Sequence, residues 1–221
     1  MSSEKKLEFV IKLYKIESFF YPLLNNGIRK FLPDPEQIAY FRKPFADLFN
    51  AIKQVYQQKQ SNWELRRNKL TVYRGAYYSE SEMAELKENI GNYMEIEGFM
   101  STSIKKAPCW PFISNTFVEI EIPEKEIDEL NDNYNKGEGF CFLDDHNKTY
   151  ANKQEDLEKS TEMECLFNPL NIFQIVEVEE DKEVKNEVDQ ALNVFYIKLK
   201  YIVPDLESET NPVSDELKKH F

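Results

Sequence analysis

Over the first sixty positions the apolar residues recur at helical spacing. Phe9, Leu13 and Ile16 share a face; after Ser18, a candidate cap, Phe19, Leu23, Leu24 and Ile28 continue the pattern with Pro22 in a first turn. Asp34-Pro35-Glu36 is a helix start, an N-cap followed by proline. Pro44 restarts or kinks that helix, and Phe45, Leu48, Phe49, Ile52 and Tyr56 make an apolar stripe that reads as core packing. From Leu70 the period changes to two. Leu70-Thr71-Val72-Tyr73 predicts a short strand ending at Arg74-Gly75, and Ser79-Glu80-Ser81-Glu82 is a capping box opening a helix that Gly91 closes. Phe99-Met100 leads into Ser101-Thr102-Ser103, and residues 116–122 alternate as a strand with one wet face, stopped by Pro123. Residues 124–130 suit a helical turn or two, and 131–160 form a polar stretch without regular pattern. Strand patterns return at 164–167, 172–178 and 194–202, with a charge run at 179–189 that suits a solvated helix or a hairpin end.

This order predicts an α+β chain in one domain: a helical lobe over about 1–65, a mostly antiparallel β-rich core over 66–203, and an acidic tail over 204–221. Composition narrows the partners. A formal net charge of -12 over 221 residues, without a basic run, argues against nucleic acid, which needs a cationic face. No apolar stretch approaches the length that spans a bilayer, and the start, Met1-Ser2-Ser3-Glu4-Lys5-Lys6, does not lead into a signal-peptide core. Cys109, Cys141 and Cys165 lack paired spacing, so reduced thiols in a cytoplasmic protein are expected rather than a disulfide framework or a zinc site. His146 and His220 are too scattered to suggest a metal, and a monomer is the default.

Three stretches carry candidate chemistry. Arg74 stands at a strand end beside a glycine: its rigid guanidinium fork matches phosphate oxygens, and Gly75 removes a side chain where a ligand would approach backbone. Ser101, Thr102 and Ser103 offer hydroxyls to a ligand or to a carboxylate, or satisfy their own strand terminus. Glu162 and Glu164 are two apart, so on a strand they point together, with Met163, Cys165 and Phe167 facing the core. An isolated pair of this kind is commonplace among 40 acidic residues; Glu119-Ile120-Glu121 is another. Order, spacing and apolar context together are far more specific than any one part.

The trio resembles the R-S-E signature of mono-ADP-ribosyltransferases of the arginine-modifying, clostridial-toxin-like class. Its elements are Val72-Tyr73-Arg74-Gly75, Gly98-Phe99-Met100-Ser101-Thr102-Ser103 and Glu162-Met163-Glu164-Cys165-Leu166-Phe167-Asn168-Pro169, with a strand at 172–176 where the family also places one. Residues 20–29 are similar to the helical lead-in of eukaryote-type members. The resemblance implies a β-sandwich catalytic core that uses NAD as co-substrate, with no metal. Arg74 would hold the NAD phosphates and the nicotinamide-side ribose, and Gly75 would bond the nicotinamide amide through its backbone. Ser101 would position NAD and the catalytic carboxylate, with Thr102 and Ser103 shaping that strand. Glu164 would bind the ribose 2′-hydroxyl and stabilise an oxocarbenium-like transition state, and Glu162 would orient the acceptor guanidinium. An aromatic after the Ser-Thr-Ser strand stacks on nicotinamide in this family; Trp110, Phe112 and Phe117 are the candidates, with Phe117 counted in the NAD-binding set. The charged stretch 154–161 lacks the aromatic often found in the family's target-recognition loop.

The leading expectation is therefore transfer of ADP-ribose from NAD to an arginine of a protein target. The alternatives are an NAD glycohydrolase with water as acceptor, and a catalytically silent domain that binds a protein. Intact Arg74, Ser101 and Glu164 speak against the last. The expected location is cytoplasmic, with delivery to another cell as an effector the alternative.

Overall fold

The computed structural model describes residues 43, 46–52, 70–96, 98–122, 140–143, 164–169 and 171–202. These belong to two compact units. The first takes 43, 46–52, 96, 98–102, 140–143 and 164–169; the second takes 70–95, 103–122 and 171–202. Most of the expected N-terminal lobe, the turns at 124–130, Glu162 and the acidic tail lie outside the described residues. Residues 46–52 are helical; Leu48 and Ile52 of the expected stripe are fully buried, as is Ala51 beside them.

The second unit is built on five strands: β1 (Leu70–Ala76), β2 (Tyr93–Glu95), β4 (Thr116–Ile122), β7 (Ile172–Lys185) and β8 (Ala191–Ile202). They lie side by side in the order β2-β7-β8-β4-β1. Every pairing is antiparallel except β4 with β8, which is parallel. Register sorts the side chains by face. One face carries Val72 of β1, Val118, Ile120 and Ile122 of β4, Ile197, Leu199 and Tyr201 of β8, and Phe173, Ile175 and Val178 of β7, all buried. The buried Tyr201 hydroxyl donates to Asn171 Oδ1 at 3.0 Å, which satisfies the polar atom that this ring brings into the core.

The opposite face is polar along part of its length. Glu119 and Glu121 flank Lys198 at 3.9 and 3.8 Å, as the expected wet face of β4 requires. At its other end this face is covered by a 3₁₀ helix, Ala107–Phe112, which the sequence pattern did not suggest. Beneath it Phe117, Val184, Val194 and Tyr196 make a cluster completed by Tyr73, Trp110 and Ile113.

The helix α1 (Glu80–Glu88) opens as its capping box predicts: Ser79 Oγ accepts from Glu82 N at 3.3 Å, and Ser79 N donates to Glu82 Oε2 at 2.7 Å. It ends at Asn89, earlier than expected, and Gly91, at φ +91°, turns the chain into β2. The charge run is a hairpin end. β7 continues to Lys185 through two register shifts, and the turn at 186–190 closes on Asn186 Oδ1, which accepts from Val188 N at 3.1 Å and Gln190 N at 3.0 Å. Between Val178 and Val184 the run is Glu-Glu-Asp-Lys-Glu, without an apolar residue to mark a strand period.

In the first unit, β6 (Glu164–Phe167) lies between β3 (Met100–Ser103, of which 100–102 belong here) and β5 (Phe140–Leu143). β5 and β6 pair antiparallel, with Phe140 opposite Phe167 and their rings 5.2 Å apart. β5 falls inside the polar stretch expected to be irregular; four residues, FCFL, carry it. All four residues of β6 are buried, so both faces of this strand are covered rather than one.

Candidate active site

Glu164 opens β6 and is only 8% exposed. A carboxylate taken this far from water needs donors. Ser101, half-buried on β3, supplies one: its hydroxyl donates to Glu164 Oε1 at 2.6 Å, in the range of strong charge-assisted bonds. The next residue points the other way, as alternation demands, and the buried Thr102 hydroxyl donates to the Cys165 carbonyl at 2.8 Å. That bond ties the strands together and leaves Thr102 a structural part. Ser103 is buried, and its Oγ accepts from Lys105 N at 3.1 Å in a local turn. Of the three hydroxyls, then, only that of Ser101 is placed on the carboxylate.

In the second unit Arg74 is half-buried near the end of β1, opposite Val118, on the face that also carries Val72 and Ile197. Its strand sets it beside apolar neighbours that lower the local dielectric and strengthen any ionic contact the guanidinium makes. Gly75 has a steric reason that the sequence did not show. A Cβ built on it would stand 2.5 Å from Ile113 N and Phe112 C and 2.7 Å from Cys109 O, so the missing side chain admits the backbone of the 3₁₀ helix.

That helix is pinned at three places. At its start, Glu187 of the β7–β8 turn accepts from Lys106 N at 2.5 Å and Ala107 N at 2.7 Å. In its middle, the buried Cys109 Sγ donates to the Tyr73 carbonyl at 3.0 Å. After its end, Asn115 exchanges two bonds with the Tyr78 backbone, at 3.0 and 2.7 Å. Partial burial disfavours ionisation of Glu187, but the N–H groups of Lys106, of Glu187 itself and of Ala107, together with the Lys106 ammonium, outweigh it and hold the carboxyl below its ordinary value of 4.5. Burial, then the charges of Glu119 and Glu187 and the Cys109 thiol, push the Tyr73 phenol up to about 12, so it stays neutral. The Lys106 ammonium stands 5.2 Å from the Tyr73 ring centroid, within cation–π range.

Among the three candidate aromatics, Phe117 is fully buried, its ring 5.7 Å from Tyr73 and 6.3 Å from Trp110. Phe117, expected in the NAD-binding set, is thus packed in the core cluster. Trp110 is half-buried, and Phe112 is 63% exposed. Glu187 was missed because it sits 80 residues from Ala107 inside a charge run that looked merely solvated. Among the described residues, no three His, Cys, Asp or Glu side chains stand together in a way that could hold a metal ion. No helix among them is long and apolar enough to cross a membrane.

No family model matches this sequence, and no curated protein matches it. Solved structures do. The catalytic domain of VahC from Aeromonas hydrophila is 18% identical, with a TM-score of 0.53 over 91% of this chain and 100% of that one. C3larvin toxin, an ADP-ribosyltransferase from Paenibacillus larvae, is 17% identical, with a TM-score of 0.52 over 91% and 95%. Vis toxin, an ADP-ribosyltransferase from Vibrio splendidus, is 18% identical, with a TM-score of 0.54 over 93% and 76%, and has also been solved in complex with agmatine. The chain has the fold of these proteins, the last two of them ADP-ribosyltransferases.

Proposed function

We propose that this protein transfers ADP-ribose from NAD to an arginine side chain of a protein, releasing nicotinamide. The observation that carries the reading is the Ser101–Glu164 bond: a nearly buried carboxylate, held at 2.6 Å by a hydroxyl from β3, in a fold shared with ADP-ribosyltransferases. Glu164 takes the ribose 2′-hydroxyl and its negative charge stabilises the oxocarbenium-like transition state, as a carboxylate does in glycoside hydrolysis. Nicotinamide leaves with the bonding pair, and an arginine nitrogen forms the new bond to C1′ and gives up a proton to solvent. Ser101 holds the carboxylate in place. Arg74 grips the NAD phosphates with its fork, Gly75 meets the nicotinamide amide through its backbone, and Glu162 orients the acceptor guanidinium. Agmatine, with which Vis was solved, bears a guanidinium and supports an arginine acceptor.

The test is incubation of the full chain with a tagged NAD and a mixture of arginine-bearing proteins, beside Glu164→Gln and Glu162→Gln. The reading expects labelled protein that neutral hydroxylamine strips, no label and no nicotinamide release with Glu164→Gln, and loss of label but residual NAD hydrolysis with Glu162→Gln. Nicotinamide release without protein label would identify a glycohydrolase; normal turnover by Glu164→Gln would remove the mechanism.

A further inference from the structure

We propose that Glu187 is a positioning residue for NAD binding, acting through the 3₁₀ helix Ala107–Phe112; the inference rests on the reading under Proposed function. Both carboxylate oxygens of Glu187 are committed, Oε1 to Lys106 N and Oε2 to Ala107 N, so a hairpin turn clamps the start of a segment 80 residues away. The same helix presses its backbone on Gly75, the neighbour of Arg74, at a distance no Cβ tolerates. Its Cys109 Sγ bonds the carbonyl of Tyr73, the other neighbour of Arg74. Its last residue, Phe112, is a large ring left 63% exposed beside that strand end, where burial would be favourable and a ligand face would supply it. A six-residue 3₁₀ helix has weak internal bonding and depends on such external ties for its position. Glu187 is thus the distal tie of the segment that backs Arg74.

The experiment measures nicotinamide release against NAD concentration for the full chain and for Glu187→Ala and Glu187→Gln, with amide hydrogen exchange on the same proteins. Glu187→Ala is expected to raise the KM for NAD about fivefold, the effect of losing one cap, with kcat within about twofold because Glu164 is untouched. Glu187→Gln keeps one acceptor and should fall between. Exchange should quicken over 105–113 while α1 stays protected. Wild-type KM in Glu187→Ala, with or without lowered thermal stability, overturns the inference while leaving the transferase reading intact. A wild-type chain that neither binds nor hydrolyses NAD removes both.

Discussion

Burial and a hydroxyl donor distinguish a poised carboxylate from the many that merely face solvent. Glu119 and Glu121 are as acidic as Glu164, yet they stand half-exposed around Lys198 on an open sheet face, whereas Glu164 is buried and held by Ser101. Ser101→Ala should therefore lower kcat for nicotinamide release roughly ten- to hundredfold, equivalent to losing a bond to a charged group, with the melting temperature little changed. A similar rate in steady-state assays would show that the carboxylate is held by other donors. Gly75 makes the opposite kind of claim, about space. Gly75→Ala forces a methyl into the backbone of residues 112–113, which has no rotamer to yield, and should destabilise by about 1–3 kcal/mol or more in urea unfolding. Phe117 separates core from ligand contact: Phe117→Leu should cost about 1 kcal/mol of stability and leave the KM for NAD unchanged. A large rise in KM would return Phe117 to the site.

Among the elements, strands were more legible than the devices that join them. β4 is found where its alternation of Thr116, Val118, Ile120 and Ile122 with Glu119 and Glu121 placed it, and α1 begins at its capping box, because both signals are local. The 3₁₀ helix carries no such signal, since APCWPF has neither period, and its position is held by contacts distant in sequence. Its cap also supplies a pH dependence. Glu187 is held below its ordinary value, so its contribution is complete above about pH 4.5 and is lost as the pH falls through the lower folded value. The difference in thermal stability between the wild type and Glu187→Gln, about 0.5–1 kcal/mol for a solvent-facing cap, should be constant near neutrality and shrink as the pH falls through the lowered folded value. A difference that persisted in acid would place its origin outside the carboxylate.

For the whole molecule, charge sets what approaches. With 40 acidic against 28 basic residues, the chain favours basic protein surfaces over anionic ones. Labelling of an arginine-rich acceptor should fall several-fold between about 0.02 and 0.5 M salt, while hydrolysis of NAD to water changes little, since screening acts on the encounter of exposed charges. Equal salt sensitivity of both reactions would assign the effect to NAD itself.

What the sequence determined by itself was what local physics can write: the two-residue period that begins at Leu70, the capping box at Ser79, and the order of Arg74, Ser101 and Glu164, each on or beside a strand. What only the tertiary structure decided was which side chains are used and which are filled in. Register chose Ser101 over Thr102 as the donor to Glu164, because adjacent residues of a strand face opposite ways, while Ser103 is taken up by its local bond from Lys105 N. Packing turned Phe117 into core and gave Gly75 its reason, and it brought Glu187 to the start of a helix 80 residues distant. These are contacts between strands far apart in the chain, and such contacts leave no period in a sequence.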